Sequence, residues 1–379
     1  MQFQLTEDLT MIQDMAAQFA QAELAPHAER WDREKALDRD VFTKAAELGF
    51  LGIYIPEDDG GTGLTRLASA MVFEQLAAGD VSHTAMMTIH NMATWMISRF
   101  GGDDLKARYI PKLVSGELIG SYCLTEPGAG SDAASLSTKA VKDGDDYVLN
   151  GTKQFISGAG WSDVYVVMAR TSDDGARGVS CFVIDKDTPG LSFGPNERKM
   201  GWNAQPTAQV IFEDCRVSAA NRVGAEGDGF KFAMAGLDGG RINIGACSLG
   251  GAAAALRLAT DYAKERKQFG KAISEFQNTQ FRLADMATEL EASRLMIYRG
   301  ADAIDNKVPN AGTYCAMGKR FATDLCSKIA NDALQVHGGY GYLADYQVER
   351  IVRDLRVHQI LEGTNDIMRV IISRGMLRQ

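Results

Sequence analysis

The feature that most constrains the fold is a change in the spacing of hydrophobic residues along the chain. From residue 1 to about residue 115, apolar residues recur at the three- to four-residue spacing of helices with one buried face. From Gly120 to about Val223 the chain instead contains short runs of β-branched and aromatic residues, separated by Gly, Pro and Asp. Helical spacing returns after Gly229. The pattern therefore predicts helices, then strands, then helices.

We therefore expect an α+β multidomain protein rather than an alternating βαβ fold. The predicted units are an N-terminal α-helical domain (residues 1–118), a middle antiparallel β-barrel or β-sandwich domain (residues 119–225) and a C-terminal four-helix bundle (residues 226–379). Within the middle domain, Asn150-Gly151 predicts a tight hairpin between two strands. Small residues along the first C-terminal helix predict close contacts between helices.

Length and charge exclude several classes of protein. The 379 residues are 45% hydrophobic and 23% charged, which is typical of a soluble globular protein. A formal net charge of −9 argues against nucleic-acid binding. No apolar run approaches the roughly 20 residues of a membrane span. Because residues 1–7 resemble neither a signal nor a transit peptide, we expect a cytoplasmic bacterial-type chain, or a mitochondrial-matrix protein if it is a processed eukaryotic form.

The six cysteines include no Cys-x-x-Cys pair and lie near no histidine, so no zinc site is expected. Reduced, mostly buried thiols are the natural interpretation.

Glu362 is the leading candidate for a catalytic side chain. It is followed directly by Gly363 and by a predicted helix start at Thr364. A carboxylate on such a short break between helices can point into a cavity, where it could act as a base. Most glutamates at helix ends are solvated caps, and this second interpretation remains open from the local sequence alone.

A second candidate segment is Tyr122–Asp132, which is rich in glycine and hydroxyl side chains. Gly128 and Gly130 allow tight turns that present backbone N–H groups to an anion, and Thr125 and Ser131 add hydroxyls. A phosphate- or flavin-binding loop is one interpretation, and a plain turn is the other. No Gly-x-Gly-x-x-Gly motif follows a strand, so a Rossmann-type nucleotide site is not predicted.

Three further segments follow or open predicted helices. Arg266–Gly270 is either a mobile basic loop or a diphosphate clamp. Gln335–Gly339 ends a helix, with His337 as a cap and two glycines that permit close approach of a ligand. Asp238–Arg241 is predicted to open the first C-terminal helix, with an ion pair inside the segment.

Taken in order, these segments resemble the acyl-CoA dehydrogenase family over essentially the entire chain. The motifs that carry the resemblance are Tyr122–Asp132, Arg266–Gly270, Gln335–Tyr342 and Ile360–Asn365. Two more segments, Leu237–Ile244 and Val352–Ile360, are most similar to the branch of the family that acts on isobutyryl-CoA. The resemblance implies a three-domain subunit, a homotetramer and tightly bound FAD.

The resemblance also implies roles for individual residues. Glu362 would be the catalytic base. One other branch supplies its glutamate from the helix near Arg241, but the matching position here is Gly240, which has no side chain. Phe155 and Ser157 stand where many members of the family have Trp and Thr, so the flavin contact there is expected to differ in detail.

The remaining expected contacts fall into two sets. FAD would contact Tyr122, Leu124, Thr125, Ser131, Phe155, Ile156, Ser157, Arg266, Phe269, Gln277, Gln335, Val336, Gly338, Gly339, Thr364 and Asn365, with the contacts of Arg266, Phe269, Gln277 and Gln335–Gly339 made across a subunit boundary. Acyl-CoA would contact Ser131, Asp238, Arg241, Gly363 and Arg374.

The expected reaction is α,β-dehydrogenation of a short branched acyl-CoA, with isobutyryl-CoA to methacrylyl-CoA, a step of valine degradation, as the best single expectation. A carboxylate would remove the α-proton, the β-hydrogen would pass to the flavin, and electron-transferring flavoprotein would reoxidise it. A straight short-chain or 2-methylbutyryl substrate, an acyl-CoA oxidase and a non-catalytic helical binding protein are the alternatives.

Overall fold

The fold consists of an N-terminal group of helices, a middle β-sheet and a C-terminal group of helices, which confirms the predicted fold class. The computed structural model describes residues 5–377. The N-terminal helices are α1 (Glu7–Phe19), α2 (Ala28–Glu34), α3 (Arg39–Glu47), α4 (Arg66–Gly79), α5 (Val81–Phe100) and α6 (Asp103–Val114), with a short π-helical turn (Ala20–Leu24) after α1.

Side-chain caps fix where several of these helices begin. Thr6, Thr65 and Asp80 each accept a backbone N–H from the first turn of α1, α4 and α5 respectively. Helices α4 and α5 are buried on nearly every side, as expected for apolar helices in the middle of a large core. They join the N-terminal helices to the C-terminal helices in one hydrophobic cluster.

The middle region is one mixed sheet of eight strands rather than a purely antiparallel one. The order is β6-β7-β3-β2-β4-β5-β8, and β1 pairs with β4. The pairings of β4 with β1 and with β2 are parallel, whereas the other pairings are antiparallel. The strands are β1 (Gly120–Cys123), β2 (Lys139–Asp143), β3 (Asp146–Ser157), β4 (Val164–Arg170), β5 (Val179–Asp185), β6 (Leu191–Phe193), β7 (Thr207–Ser218) and β8 (Arg222–Val223).

The hairpin predicted at Asn150-Gly151 is wrong. Strand β3 runs through both residues, and its pairing with β7 shifts register between Leu149 and Gly151, which is a β-bulge. The hairpin turn lies instead between β2 and β3, where Gly144 takes a φ of 64°. The extra residue of the bulge lies on β7, where Asp214 takes a φ of 49°, and Asn150 on β3 faces it and is held by hydrogen bonds to Asp214.

The C-terminal helices are α7 (Gly229–Glu265), α8 (Gln277–Asp305), α9 (Ala311–His337), α10 (Val348–Arg356) and α11 (Asn365–Leu377). The first three have 37, 29 and 27 residues, and the last two are shorter. A small hairpin of β9 (Lys267–Gln268) and β10 (Lys271–Ala272) separates α7 from α8. All six cysteines are buried free thiols, as the sequence analysis expected.

Two expectations about α7 need correction. Asp238–Arg241 does not open this helix, which already begins at Gly229; the Gly239-Gly240 pair is instead tolerated inside the helix because neighbouring side chains fill the space beside it. Helix α7 is also long and apolar enough to cross a membrane by length and composition, contrary to the expectation from the sequence. However, 78% of that apolar window is buried inside the protein, as in a core helix.

Glycines along α7 let neighbouring elements approach closely, as predicted. A Cβ added to Gly245 would lie 2.1 Å from the side chain of Ile297 on α8. A Cβ on Gly250 would lie 2.1 Å from the backbone oxygen of Glu74 on α4. Helix α7 therefore lies in close contact with both groups of helices, and its residues 238–241 are held firmly beside the site described next.

Candidate active site

Glu362 lies on a sharp turn between two helical segments. A 3-10 turn (Val357–Gln359) precedes it and α11 follows it. Both Glu362 and Gly363 have left-handed backbones, with φ of 56° and 84°. Glycine adopts this conformation freely, whereas a residue with a Cβ adopts it at a cost. The hydroxyl of Thr364 accepts a backbone N–H of α11 at 3.2 Å and caps the helix, as the sequence predicts.

Glu362 is half-buried, and one oxygen of its carboxyl group is enclosed by the protein, so it is not a solvated helix cap. Its Oε2 atom is buried and has no hydrogen-bond partner within residues 5–377. Gly240 of α7 faces it, and a Cβ at that position would lie only 2.4 Å from Oε2. Burial raises the pKa of Glu362 to about 7, although the charges of Arg241 and Lys319 act to lower it. A carboxyl with a near-neutral pKa and a free oxygen suits a general base.

Arg241 connects the turn at Glu362 to α7. Its guanidinium forms an ion pair with Asp238, one helical turn earlier. Its Nε atom also lies 3.4 Å from the backbone oxygen of Glu362. Burial raises the pKa of Asp238, and the charge of Arg241 opposes this rise. The structure thus brings together Asp238, Arg241 and Glu362, whose expected contacts with acyl-CoA remain predictions.

Lys319 is a residue of the site that the sequence analysis missed. It is fully buried in α9, and its Nζ atom lies 2.9 Å from the backbone oxygen of Gly363 and 2.8 Å from Oδ1 of Asn365. Burial lowers the pKa of Lys319 to about 8, with the charge of Glu362 opposing this shift. The available sequence signal was its position four residues after Cys315, on the buried face of α9.

Tyr122 completes the group that we call the Glu362 cluster (Glu362, Gly240, Arg241, Lys319 and Tyr122). The Tyr122 hydroxyl is buried and finds no hydrogen-bond partner in the part of the chain that the structure describes. Burial raises its pKa well above the ordinary value, and the charge of Glu362 raises it further. Two buried polar atoms without partners, in groups close enough to influence each other's charge, suit a place where a ligand binds.

Three polar residues next to this cluster were not predicted. Tyr54 accepts a hydrogen bond from the side-chain amide of Asn243 at 3.2 Å. The guanidinium of Arg66 lies 3.5 Å from the centre of the Tyr54 ring, close enough for a cation–π contact. Burial raises the pKa of Tyr54, which the charge of Arg66 opposes and the charge of Glu362 supports. These residues meet only because α4 and the segment before it pack against α7, so no local sequence pattern predicts them.

The two segments predicted to contact the flavin ring lie side by side. The backbone N–H of Gln154 donates to the carbonyl oxygen of Thr125 at 2.8 Å, and Leu124 is buried beside it. The hydroxyl of Ser121 donates to the carbonyl oxygen of Ser157 at 2.6 Å. The end of β1 is thereby fixed against the end of β3.

Two neighbouring residues of β3 face opposite ways. Ile156 is buried, whereas the Phe155 ring is 63% exposed and the backbone of Phe155 has a φ of 58°. An exposed aromatic ring on a strained backbone is a feature that a planar ligand could use. Their expected contacts with FAD remain predictions.

A buried ion pair holds this loop in place. Nζ of Lys153 lies 2.7 Å from the Glu126 carboxylate and 3.1 Å from the backbone oxygen of Leu124. The same carboxylate accepts the backbone N–H groups of Ser137 and Thr138. Burial alone would raise the pKa of Glu126, but the charge and hydrogen bonds outweigh it and lower the pKa to about 2. The sequence analysis missed this pair, because charged residues are expected on the surface.

The glycine-rich segment is both a turn and an open surface. Glu126 and Ala129 exchange backbone hydrogen bonds of 3.0 and 3.1 Å, so the plain-turn interpretation describes this part of the backbone. A Cβ added to Gly128 or Gly130 would meet nothing within 4 Å, and Ser131 is exposed. The turn therefore leaves room beside its backbone for a ligand.

A second group of predicted residues lies in a surface cleft of about 400 Å³, which we call the Arg266 cleft. Its lining includes Arg266, Val336, Gly338, Gly339 and Tyr340, and no member of the Glu362 cluster. The guanidinium of Arg266 lies 5.3 Å from the centre of the Tyr340 ring. A Cβ added to either glycine would meet nothing within 4 Å, so the backbone is accessible to a ligand.

The other predicted residues fall outside both groups or are held inside the protein. Phe269 is 94% exposed at the tip of the β9–β10 hairpin, and Gln277 begins α8. Gln335 and Arg374 are exposed, on α9 and α11 respectively. The Asn365 side chain is occupied by hydrogen bonds within the protein, so a contact with FAD would have to use its backbone.

Comparison with known proteins identifies the class. The models described as the N-terminal, middle and C-terminal domains of acyl-CoA dehydrogenase match residues 6–117, 121–215 and 227–377. The chain therefore belongs to the acyl-CoA dehydrogenase family. It is accordingly an oxidoreductase that uses FAD, since the members of this family are FAD-dependent.

Individual relatives are similar over nearly the whole chain. The mitochondrial isobutyryl-CoA dehydrogenase of Dictyostelium discoideum is 57% identical over 98% of this chain and 90% of its own length. That of Bos taurus is 55% identical over 99% and 90%. A chain solved in work on the electron transferring flavoprotein of Acidaminococcus fermentans matches with a TM-score of 0.98 and 44% identity over 100% of both chains. The mitochondrial names agree with the matrix alternative of the sequence analysis.

Proposed function

We propose that this chain catalyses the α,β-dehydrogenation of isobutyryl-CoA to methacrylyl-CoA, a step of valine catabolism, with Glu362 as the base. The observation that carries the proposal is the buried Oε2 atom of Glu362, which has no partner within residues 5–377 and faces Gly240. The choice of substrate is supported by the two relatives named above, at 57% and 55% identity.

The environment of Glu362 suits removal of a proton from carbon. A hydrogen next to a thioester carbonyl is a weak acid, so the base must be strong enough and the developing enolate must be stabilised. Burial raises the pKa of Glu362 to about 7, which makes it a stronger base than an exposed carboxylate. Its backbone N–H has no hydrogen-bond acceptor among the described residues, so it is free to donate to the thioester oxygen.

The residues around the β1 and β3 ends fit a flavin. The buried Tyr122 hydroxyl has no protein partner within residues 5–377, and the Phe155 ring is exposed beside the buried Ile156. Leu124, Thr125 and Ser157 would hold the ring system from the same side. FAD, when bound, supplies the oxidising power by accepting the β-hydrogen with its electron pair. The protein's part is to orient the substrate between this group and Glu362.

The Arg266 cleft fits the remote, charged part of the cofactor. Arg266 can bind phosphate oxygens bidentately, and Gly338 and Gly339 leave the backbone open to close approach. The cleft lies at the surface of one subunit, and Phe269, in the hairpin that follows Arg266, is almost fully exposed. We therefore propose a homotetramer in which neighbouring subunits share the FAD sites.

Electron-transferring flavoprotein is the proposed acceptor, since a close structural relative was solved in work on such a protein. An acyl-CoA oxidase would instead produce peroxide in air without a partner protein, so an aerobic peroxide assay separates the two.

The test is anaerobic mixing of the FAD-loaded enzyme with isobutyryl-CoA, butyryl-CoA and 2-methylbutyryl-CoA, with flavin absorbance as the readout. Isobutyryl-CoA should bleach the flavin fastest. Glu362→Gln should bind isobutyryl-CoA but bleach about 10³-fold more slowly, because it has no base. Asp366→Asn, which removes a carboxylate that is 90% exposed, is the matched control and should bleach normally.

Normal bleaching by Glu362→Gln would reject Glu362 as the base. Faster bleaching by butyryl-CoA or 2-methylbutyryl-CoA would keep the reaction and change the substrate. A purified protein that takes up no FAD would contradict the proposal as a whole.

A further inference from the structure

We infer that Lys319 is a positioning residue that holds the Glu362–Gly363 turn in its reactive conformation and places a cation near the Glu362 carboxyl. The inference rests on the proposed function, because it assigns a role to Lys319 through the base that the proposed reaction needs.

Lys319 holds the turn through two hydrogen bonds. Its Nζ atom donates to the backbone oxygen of Gly363 at 2.9 Å and to Oδ1 of Asn365 at 2.8 Å. Asn365 is itself fixed, because its side-chain amide donates to Thr323 at 2.9 Å and to Asp324 at 2.7 Å. The ammonium group of Lys319 therefore ties Gly363 and Asn365, which follow Glu362, to α9.

The turn needs such a support. Glu362 and Gly363 are consecutive residues with left-handed backbones, and a glutamate remains in that conformation only where surrounding contacts fix it. Among the described residues, the donor to the Gly363 carbonyl oxygen is the Lys319 ammonium group. Without this contact the turn could relax, and the carboxyl group would leave its place against Gly240.

Lys319 also acts on the charge of Glu362. The charged and titratable groups around Glu362 are Arg241 from α7, Lys319 from α9, Tyr122 from β1, and Tyr54 from the segment before α4. Burial favours the neutral carboxyl, and the two cations favour the ionised one. Asp324 in turn favours the charged form of Lys319, which burial opposes.

Lys319 differs from an ordinary ion-paired lysine. Its bonded acceptors within residues 5–377 are a carbonyl and an amide oxygen rather than a carboxylate. The other fully buried lysine, Lys153, is paired directly with the carboxylate of Glu126. A buried charge without a bonded carboxylate is costly to keep, which is expected where the charge serves a reaction.

The test compares Lys319→Met with the wild type as FAD-loaded enzymes, using isobutyryl-CoA across a pH series. Methionine has a similar length but neither the charge nor the donors. We expect kcat to fall about 10- to 100-fold with little change in KM, because the base is misplaced. We also expect the acidic limb of the kcat/KM profile to move up by about 0.5 to 1 pH unit, because a cation near the carboxylate is lost.

A readout independent of turnover is the carboxyl infrared band of Glu362, assigned by its loss in Glu362→Gln and followed with pH. Its midpoint should rise in Lys319→Met. Ile329→Val, which removes one buried methyl group from the same helix, is the matched control. It should change thermal stability slightly and leave both the pH limb and the infrared midpoint in place.

Three outcomes decide the inference. A wild-type enzyme that is not bleached by isobutyryl-CoA contradicts the proposed function, whatever Lys319 does. A bleached wild type together with unchanged kcat, pH limb and infrared midpoint in Lys319→Met overturns the role of Lys319. If Lys319→Met does not fold, Lys319→Gln replaces it, since glutamine keeps a donor without the charge; an unchanged pH limb in that variant also overturns the inference.

Discussion

The Glu362 cluster and the Arg266 cleft differ in how completely one subunit encloses them. The Glu362 carboxyl is surrounded by residues of α7, α9 and β1, and its Oε2 atom is buried. The Arg266 cleft lies at the surface, and added Cβ atoms on Gly338 and Gly339 would meet nothing within 4 Å. Proton transfer requires fixed geometry and exclusion of water, whereas a charged cofactor tail requires accessible donors. The difference agrees with the proposal that one chain supplies the base, while a neighbouring subunit covers part of the cofactor.

The largest effect is expected from the buried ion pair between Glu126 and Lys153. Glu126→Gln leaves the buried Lys153 charge without its carboxylate and should destabilise the protein by about 3–5 kcal/mol. The melting temperature and FAD retention should fall together. Arg216→Gln, which breaks an exposed ion pair with Asp143, should change the melting temperature little. Unchanged stability in Glu126→Gln would mean that the enclosed region is less dependent on this pair than its contacts indicate.

The sign of the acid dependence of this pair also follows. Folding lowers the pKa of Glu126 from 4.5 to about 2, so its stabilising contribution is present above pH 4.5 and is lost as the pH falls towards 2. The free energy of unfolding of Glu126→Gln should therefore change less with pH in that window than that of the wild type.

Gly240→Ala tests whether the Glu362 cluster is as tightly closed as the distances indicate. The new Cβ would lie 2.4 Å from Oε2 of Glu362, so the carboxyl must move. We expect kcat to fall about 100-fold, because a displacement of the base by about 1 Å has that effect. FAD content should stay normal, as Gly240 lies outside the predicted cofactor contacts. Gly102→Ala, at a position where a Cβ meets nothing within 4 Å, is the control.

The pH dependence of catalysis provides a third test. The proposed base must be ionised to accept a proton, and the pKa of Glu362 is about 7, so kcat/KM should fall about tenfold for each pH unit below that value. Folding raises this pKa from 4.5, so the folded state binds more protons between pH 4.5 and 7. The contribution of this carboxyl to stability is therefore lost as the pH rises through that window. If the acidic limb of the kcat/KM profile lay near pH 4.5 instead, the ionising group would be a solvent-exposed carboxyl.

The smallest effect is expected at the Arg266 cleft. Arg266→Ala should weaken FAD binding about five- to tenfold, through the loss of one charge-assisted contact at a solvent-facing site. Lys264→Ala, which removes an exposed cation two residues earlier, should leave FAD affinity unchanged. FAD affinity can be measured by titration of the apoprotein. An equal loss in both variants would indicate a general charge effect rather than a specific contact.

Local patterns predicted the features that depend on neighbouring residues. Short runs of adjacent residues predicted the break at Glu362, the cap at Thr364 and the end of α9 at His337, and the structure has all three. The hairpin predicted at Asn150-Gly151 failed because an Asn-Gly pair can also lie within a strand, here opposite a bulge on β7, and only the pairing with β7 shows this. The start of α7 was predicted at Asp238 rather than Gly229, because an Asp followed by glycines is also typical of a helix start.

Contacts between distant residues could not be predicted in this way. Lys319 meets Gly363, 44 residues later, and Lys153 meets Glu126, 27 residues earlier. Charged side chains are normally assigned to the surface, since burial costs free energy unless partners offset it. Only the packed fold shows that these two lysines have such partners.

The free oxygen on Glu362 has a consequence for inhibitor design. Since no donor within residues 5–377 reaches the buried Oε2 atom, a ligand that brings a donor to it gains a hydrogen bond. A non-reactive thioester mimic bearing an amide or hydroxyl hydrogen beside its carbonyl group would supply that donor. Such a compound should bind more tightly than the same molecule with a methyl group at that position, and the advantage should vanish in the Glu362→Ala protein.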